Sequence, residues 1–379
     1  MTVLVIGAGV IGAAVADALA ARGARVTVLD MRSAGRGASQ AAAGVLAPYI
    51  EGHRESPLLS LCTRSLALFD EFVASVSERS GVPITFARTG TLELALSNDD
   101  ATTLRAAKAW LDATGVRNEW LEGSALGVFE PAATSAALGG LLIPEHGFVG
   151  GPSLVDALVQ SARLGGAWFE SPVEIVHVDP RADRVDARAG DRHYTADHVV
   201  IAAGSWSRKV RVAGLPALPI RPVRGQLLHL RWTGAGIPSR VVWGPRCYTV
   251  PWPDGSLLVG ATVEDVGFDE RTTVAGVRHL MDAAAELLPD VSDASFEGVR
   301  VGLRPAAPDG LPVIGPFPST PRVTLATGHF RNGVLLAPLT ARIVSDYVLD
   351  GVTDPAFSVT TPARFLAPAS HGVVDDPVR

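Results

Sequence analysis

Three glycines within Gly7-Ala8-Gly9-Val10-Ile11-Gly12, and an acid eighteen positions further on at Asp30, are the residues of this chain whose types and spacing point most directly to chemistry. The first glycine allows a tight turn, the second lets the backbone approach a pyrophosphate, and the third brings a helix close to a strand. An acid at that distance accepts hydrogen bonds from ribose hydroxyls, and its charge disfavours a 2′-phosphate. The chemistry is recognition of an adenine dinucleotide, and the spacing alone leaves NAD and FAD both open.

These residues need a strand, a turn and a helix to hold them. Val3 to Ile6 is a short β-branched run, an alanine-rich helical segment follows the glycines to about Ala21, and a second strand from Arg25 to Leu29 delivers Asp30. The helix N-terminus then offers N–H groups and the positive end of a dipole to the phosphates. Further along, the pattern predicts helices at Leu58 to Ser77, Ala101 to Thr114, Ser153 to Leu164, Thr272 to Leu288 and Thr340 to Leu349. It predicts strands at Thr91 to Leu96, around Val173 to Val178, and at Val199 to Ala203, Gln226 to Leu230, Tyr248 to Pro251 and Leu257 to Ala261.

A chain of 379 residues, 47% hydrophobic and 19% charged, is long enough for two domains with a sizeable core. Its net charge of −6, with no long block of like charge, argues against nucleic-acid binding and gives an anionic membrane nothing to hold. Cys62 and Cys247 stand far apart, so neither a disulfide framework nor a thiolate metal cluster is expected. Of the 33 basic residues only Lys108 and Lys209 are lysine, as GC-rich coding would give. No cation precedes the apolar opening and no later run reaches about twenty apolar residues, so a mature, soluble, cytoplasmic protein is expected.

Residues Gly37-Ala38-Ser39-Gln40-Ala41-Ala42-Ala43-Gly44-Val45-Leu46-Ala47-Pro48 resemble the segment that runs along the flavin in D-amino-acid oxidase and glycine oxidase family flavoenzymes. The similarity continues at Val199 to Ser207, at Pro222-Val223-Arg224-Gly225-Gln226, at Gly302-Leu303-Arg304-Pro305 and at Thr327 to Pro338. The closing segments look most like the bacterial glycine oxidase branch of thiamine pathways. Phe330 stands where the family often has tyrosine, Val45 where methionine is common, and Gly150-Gly151-Pro152 where an aspartate often precedes the proline. The cysteine that links flavin covalently in the sarcosine oxidase branch is not evident, so the resemblance implies non-covalent FAD.

The resemblance implies a Rossmann-like α/β FAD domain of the glutathione-reductase type and a second, mostly antiparallel β substrate domain of α+β character. The nucleotide-type strands recur at the start, middle and end of the chain. The expected division is therefore 1–83, 146–219 and 302–365 for the FAD domain and 84–145 and 220–301 for the substrate domain, with 366–379 a flexible tail. The FAD contacts so implied are Gly7, Gly9, Val10, Ile11, Gly12, Asp30, Met31, Arg32, Ser39, Ala42, Ala43, Gly44, Val45, Val173, Ala203, Gly204, Trp206, Arg304, His329, Arg331, Asn332, Gly333, Val334 and Leu335. Family members often assemble as homo-oligomers, an expectation the sequence does not locate on any surface.

The implied reaction takes a hydride from the amine-bearing carbon of a small amino acid to flavin N5, giving an imine and then a 2-oxo acid and ammonia, with dioxygen as partner and hydrogen peroxide as product. Alternatives are an oxidase of D-amino acids, sarcosine or cyclic imino acids, or a dehydrogenase with another electron acceptor. No side-chain acid or base is needed if the amine arrives neutral. Arg304 is the implied carboxylate anchor, its plain structural alternative being an arginine that caps the turn before Pro305. Tyr248 would donate to the same carboxylate, and Arg331 would reach the substrate end of the site or polarise the flavin edge. Tyr49 and His53 would close over it as a lid, while Trp243 and Trp252 would pack the sheet beside Tyr248.

Overall fold

Val3, Leu4, Val5 and Ile6 include no polar residue, the pattern of a strand covered on both faces. In the computed structural model, which describes residues 1–50, 54–233 and 236–365, Thr2–Ile6 lies inside a six-stranded sheet. The order is Val313–Phe317, Thr320–Thr327, His198–Ile201, Thr2–Ile6, Arg25–Leu29, Trp168–Glu170, parallel except for the first pair. Val3 and Val5 pack with the helices Val10–Ala21, Gly151–Leu164 and Ala337–Asp350. Leu4 and Ile6, on the alternate face, pack with Val178, Val185, Ala187 and Val212 of a four-stranded sheet. The result is a Rossmann-like layer of helices, parallel sheet and small sheet.

A second, eight-stranded sheet runs Ser295–Ala306, Arg221–Arg231, Ser256–Gly260, Tyr248–Pro251, Val241–Trp243, Thr91–Ala95, Gly139–Ile143, Glu119–Glu122. It is antiparallel apart from the Val241–Trp243 and Thr91–Ala95 pair. Helix Val274–Leu287 packs on Leu92, Leu94, Leu228 and Val259, and helix Asn98–Thr114 on Ala95, Leu141 and Ile143. These strands fall within 84–145 and 220–301, except that Ser295–Ala306 runs past 301 and so carries Arg304 on the large sheet. No helix among the described residues is long and apolar enough to cross a membrane. The tail 366–379 lies outside the described residues.

Two expected elements differ. The helix read over Leu58 to Ser77 is two helices, Pro57–Ala67 and Phe69–Ser80, because the Leu68 N–H turns back to the Ser65 carbonyl and closes the first with a tighter bond. The strand read around Val173 to Val178 is His177–Pro180 alone. Pro172 has no N–H to give a ladder, and the Val173 N–H goes to the Asp30 carbonyl at 2.7 Å, which holds Val173 beside the end of Arg25–Leu29.

Candidate active site

The glycine turn is shaped by contacts that only a missing Cβ permits. Gly7 has φ +108°, and a Cβ there would lie 2.4 Å from the Ala202 carbonyl oxygen. At Gly12 it would lie 1.9 Å from the Gly7 carbonyl oxygen, so this glycine sets the approach of helix to turn. At Gly9 it would meet only Ser39 Oγ, at 3.3 Å, which leaves the space for something other than the chain itself. Gly9, the N-cap of the Val10–Ala21 helix, has no side chain to cap it, and the Val10 N–H donates instead to Ser39 Oγ at 2.9 Å. Asp30 accepts from the N–H groups of Ala8 at 2.6 Å and Arg32 at 2.7 Å; burial raises its pKa, and those two donors counter the rise. A helix N-terminus, a close glycine backbone and a fixed acid fit the pyrophosphate and ribose of an adenine dinucleotide.

This turn opens on a cleft with about 1940 Å³ of atom-free space, part of it open to solvent. Every predicted dinucleotide and substrate residue lies on its wall except Gly12 and Leu335. Gly12 acts one layer behind, and Leu335 is buried in the core, its carbonyl accepting from Ser65 Oγ at 2.6 Å. Gly44, at φ +75°, brings Ala43 and Val45 onto the wall through an approach to the Val149 carbonyl oxygen that a Cβ would meet at 1.7 Å.

The far end of the cleft is built by the large sheet. Arg304 Nη1 donates to the Thr262 carbonyl at 2.9 Å, and its guanidinium occupies the room left by Gly225, where a Cβ would lie 2.3 Å from Nη2. Thr262 is held in turn: its hydroxyl accepts from the Gln226 N–H at 2.9 Å and donates to Glu264 at 2.6 Å. Glu264 also takes Gln226 Nε2 at 2.7 Å and the buried Arg224 guanidinium, whose hydrogen bonds hold the Glu264 carboxyl below its ordinary value against the opposing effect of burial. Arg304 is therefore an oriented guanidinium, the form needed for two parallel N–H bonds to a carboxylate.

Tyr248 stacks on Trp243, with ring centroids 4.5 Å apart and planes 23° from parallel, and both line the cleft. Trp243 was read as sheet packing alone; it both packs and forms the wall, whereas Trp252 packs on the sheet and is off the wall. Arg331 is exposed, its guanidinium 5.8 Å from the Phe330 ring. Phe330 is held at φ +48°, with its N–H on the Pro305 carbonyl at 2.8 Å, which fixes this loop against the strand end that carries Arg304. His329 is fully buried, paired with Thr340 Oγ1 at 3.1 Å, and burial pushes its pKa down to about 3, so it is neutral and structural. Tyr49 stacks on His146 at 5.5 Å and is not on the wall, and His53, its expected partner in a lid, lies outside the described residues. Cys62 and Cys247 are buried and off the wall, and burial pushes the Cys247 thiol up to about 12.

Sequence reasoning missed Gly225, Thr262, Glu264 and Val263. The first was visible as a glycine in a strand, which marks a close approach; the others act through contacts remote in sequence. Gly225→Ala is expected to displace Arg304 by overpacking of about 2 kcal/mol, raising the KM for an amino-acid substrate roughly thirtyfold while flavin absorbance stays that of the parent. Steady-state kinetics on the purified variant check this.

Comparison with known proteins agrees with the geometry. Residues 2–347 match the family model described as FAD dependent oxidoreductase (DAO). Glycine oxidase of Geobacillus kaustophilus (strain HTA426) is 34% identical over 91% of this chain and 92% of that protein. The bifunctional protein ThiO/ThiG of Synechocystis sp. (strain ATCC 27184 / PCC 6803 / Kazusa) is 35% identical over 98% of this chain, which spans only 55% of that longer protein. The crystal structure of glycine oxidase from Geobacillus kaustophilus superposes with a TM-score of 0.90 at 33% identity, covering 96% of this chain and 98% of that one.

Proposed function

The chain belongs to the FAD dependent oxidoreductase family, with FAD as its cofactor, and from that premise we propose that it oxidises glycine, or another small amino acid, by hydride transfer with dioxygen as the final oxidant. The observation that carries the reading is the placement of Arg304, Tyr248 and Arg331 on the same cleft as the glycine turn and the Ser39 to Val45 segment. Bound there non-covalently, FAD supplies the hydride acceptor.

The chain's own residues bind and orient. Arg304 holds the substrate carboxylate, Tyr248 donates a hydroxyl to it, and Arg331 closes the substrate end. Anchoring at two or more points turns the amine-bearing carbon toward the flavin-lining segment, and such positioning lowers a barrier by up to about 7–11 kcal/mol. The turn through Asn332, Gly333 and Val334, just ahead of the Ala337–Asp350 helix, brings backbone amides and the positive end of that helix to the cleft. Trp243 and Phe330 crowd the wall, which favours a small side chain or none.

The two-electron balance is simple. The substrate carbon loses a hydride, its nitrogen loses a proton, a C=N bond forms, and water hydrolyses the imine to a 2-oxo acid and ammonia. Dioxygen takes the two electrons and two protons as hydrogen peroxide. The test is stoichiometry in air: one peroxide and one ammonia per glycine consumed are expected. An enzyme that glycine reduces but that stays reduced in aerated buffer would remove dioxygen from the account.

A further inference from the structure

Segment 261–273 leaves the large sheet after Gly260 and is tied down at two ends. Its base is fixed by the Thr262–Glu264–Gln226 bonds, and Arg224 ties the outer turn back to the large sheet, reaching Asp269 at 3.1 Å and the Arg271 carbonyl at 3.1 Å. Its outer end crosses to the nucleotide-binding sheet. There Arg32 makes two parallel bonds to Glu270, Nη1 to Oε1 at 2.9 Å and Nη2 to Oε2 at 2.6 Å. The Arg32 guanidinium lies 4.6 Å from the centre of the Trp206 ring, Trp206 meets Phe268 at 5.6 Å, and Lys209 Nζ lies 4.7 Å from the Phe268 ring. Arg32, Trp206, Lys209 and Val263 share the cleft wall with Asp30, whose position beside the glycine turn marks the ribose end.

The contacts to Arg32, Trp206 and Lys209 are not needed by the sheet that carries the segment, because Gln226 and Arg224 already tie both its base and its outer turn to that sheet. Phe268 remains 36% exposed and Val263 43%, too open to count as core. Val263 lines the cleft, and Phe268 reaches from the large-sheet side to Trp206 and Lys209 on the dinucleotide side. We propose that Glu270 and Phe268 form a retention clasp, holding this strap across the adenosine half of the cleft so that FAD leaves only when the Arg32–Glu270 pair parts. Both partners of that pair are about one third exposed, 32% and 31%, so the clasp is weak enough to open and is screened by salt.

The test is FAD release from the full-length holoenzyme, followed by the rise of free-flavin fluorescence after dilution, for Glu270→Gln and Phe268→Ala. Each variant is expected to release FAD roughly fivefold faster than the parent. Release from the parent should speed up with ionic strength, Glu270→Gln should lose that dependence, and Phe268→Ala should keep it. Parent-like release from both variants, or a salt dependence as steep in Glu270→Gln as in the parent, overturns the clasp. Faster release accompanied by a lower melting temperature of the apoprotein would assign these residues to the fold and overturns it equally.

Discussion

Arg304→Ala is expected to raise the KM for the amino-acid substrate by about 10²–10³-fold while the protein still purifies with FAD. The magnitude follows from removing one partner of a partly buried, charge-assisted pair, which costs about 3–4 kcal/mol at the substrate carboxylate. FAD should stay because its glycine turn, Asp30 and the Ser39 to Val45 segment lie on other elements of the cleft wall. Small unreactive carboxylates should lose affinity by a similar factor, which separates loss of the anchor from damage to the chemistry. An unchanged KM, measured by peroxide-coupled kinetics with flavin content recorded alongside, would leave Arg304 as the turn-capping residue of its plain structural alternative.

The second large effect separates two glycines of the motif, Gly12 and Gly9. Gly12→Ala forces a Cβ to within 1.9 Å of the Gly7 carbonyl oxygen, a backbone contact that no rotamer change relieves. It should cost more than about 3 kcal/mol, give flavin-free protein and lower the melting temperature even of the apoprotein. Gly9→Ala meets only Ser39 Oγ, at 3.3 Å, so its apoprotein should melt as the parent does while FAD affinity falls by about tenfold or more. Differential scanning calorimetry of both apoproteins and flavin titration decide the matter. Equal melting temperatures for the two variants would contradict the division of roles.

What could be read in the sequence was local. The glycine turn and Asp30 lie within one strand, turn, helix and strand, and their register follows from the run itself. Arg304 and Tyr248 were reached through the resemblance, not from spacing, since nothing adjacent to either names a carboxylate. The support for Arg304 was out of reach because it is non-local: Arg224, Gly225 and Gln226 meet it only when Arg221–Arg231 pairs with Ser295–Ala306. The Arg32–Glu270 contact spans 238 positions. Trp243 was underestimated because a strand tryptophan packs a sheet whether or not it also faces a cavity. The break at Leu68 and the displaced strand near Val173 are single hydrogen-bond choices that periodicity does not carry.

The proposed function requires that dinucleotide binding and amino-acid oxidation share this cleft as one site. Anaerobic mixing of the purified flavoprotein with glycine, sarcosine, D-alanine, D-proline and the L-counterparts tests this most directly. Rapid bleaching of the flavin band by glycine, with Arg304→Ala bleaching only at far higher glycine concentration, is the result expected. Bleaching by no small amino acid, or equal bleaching of parent and Arg304→Ala across the same concentrations, would contradict it.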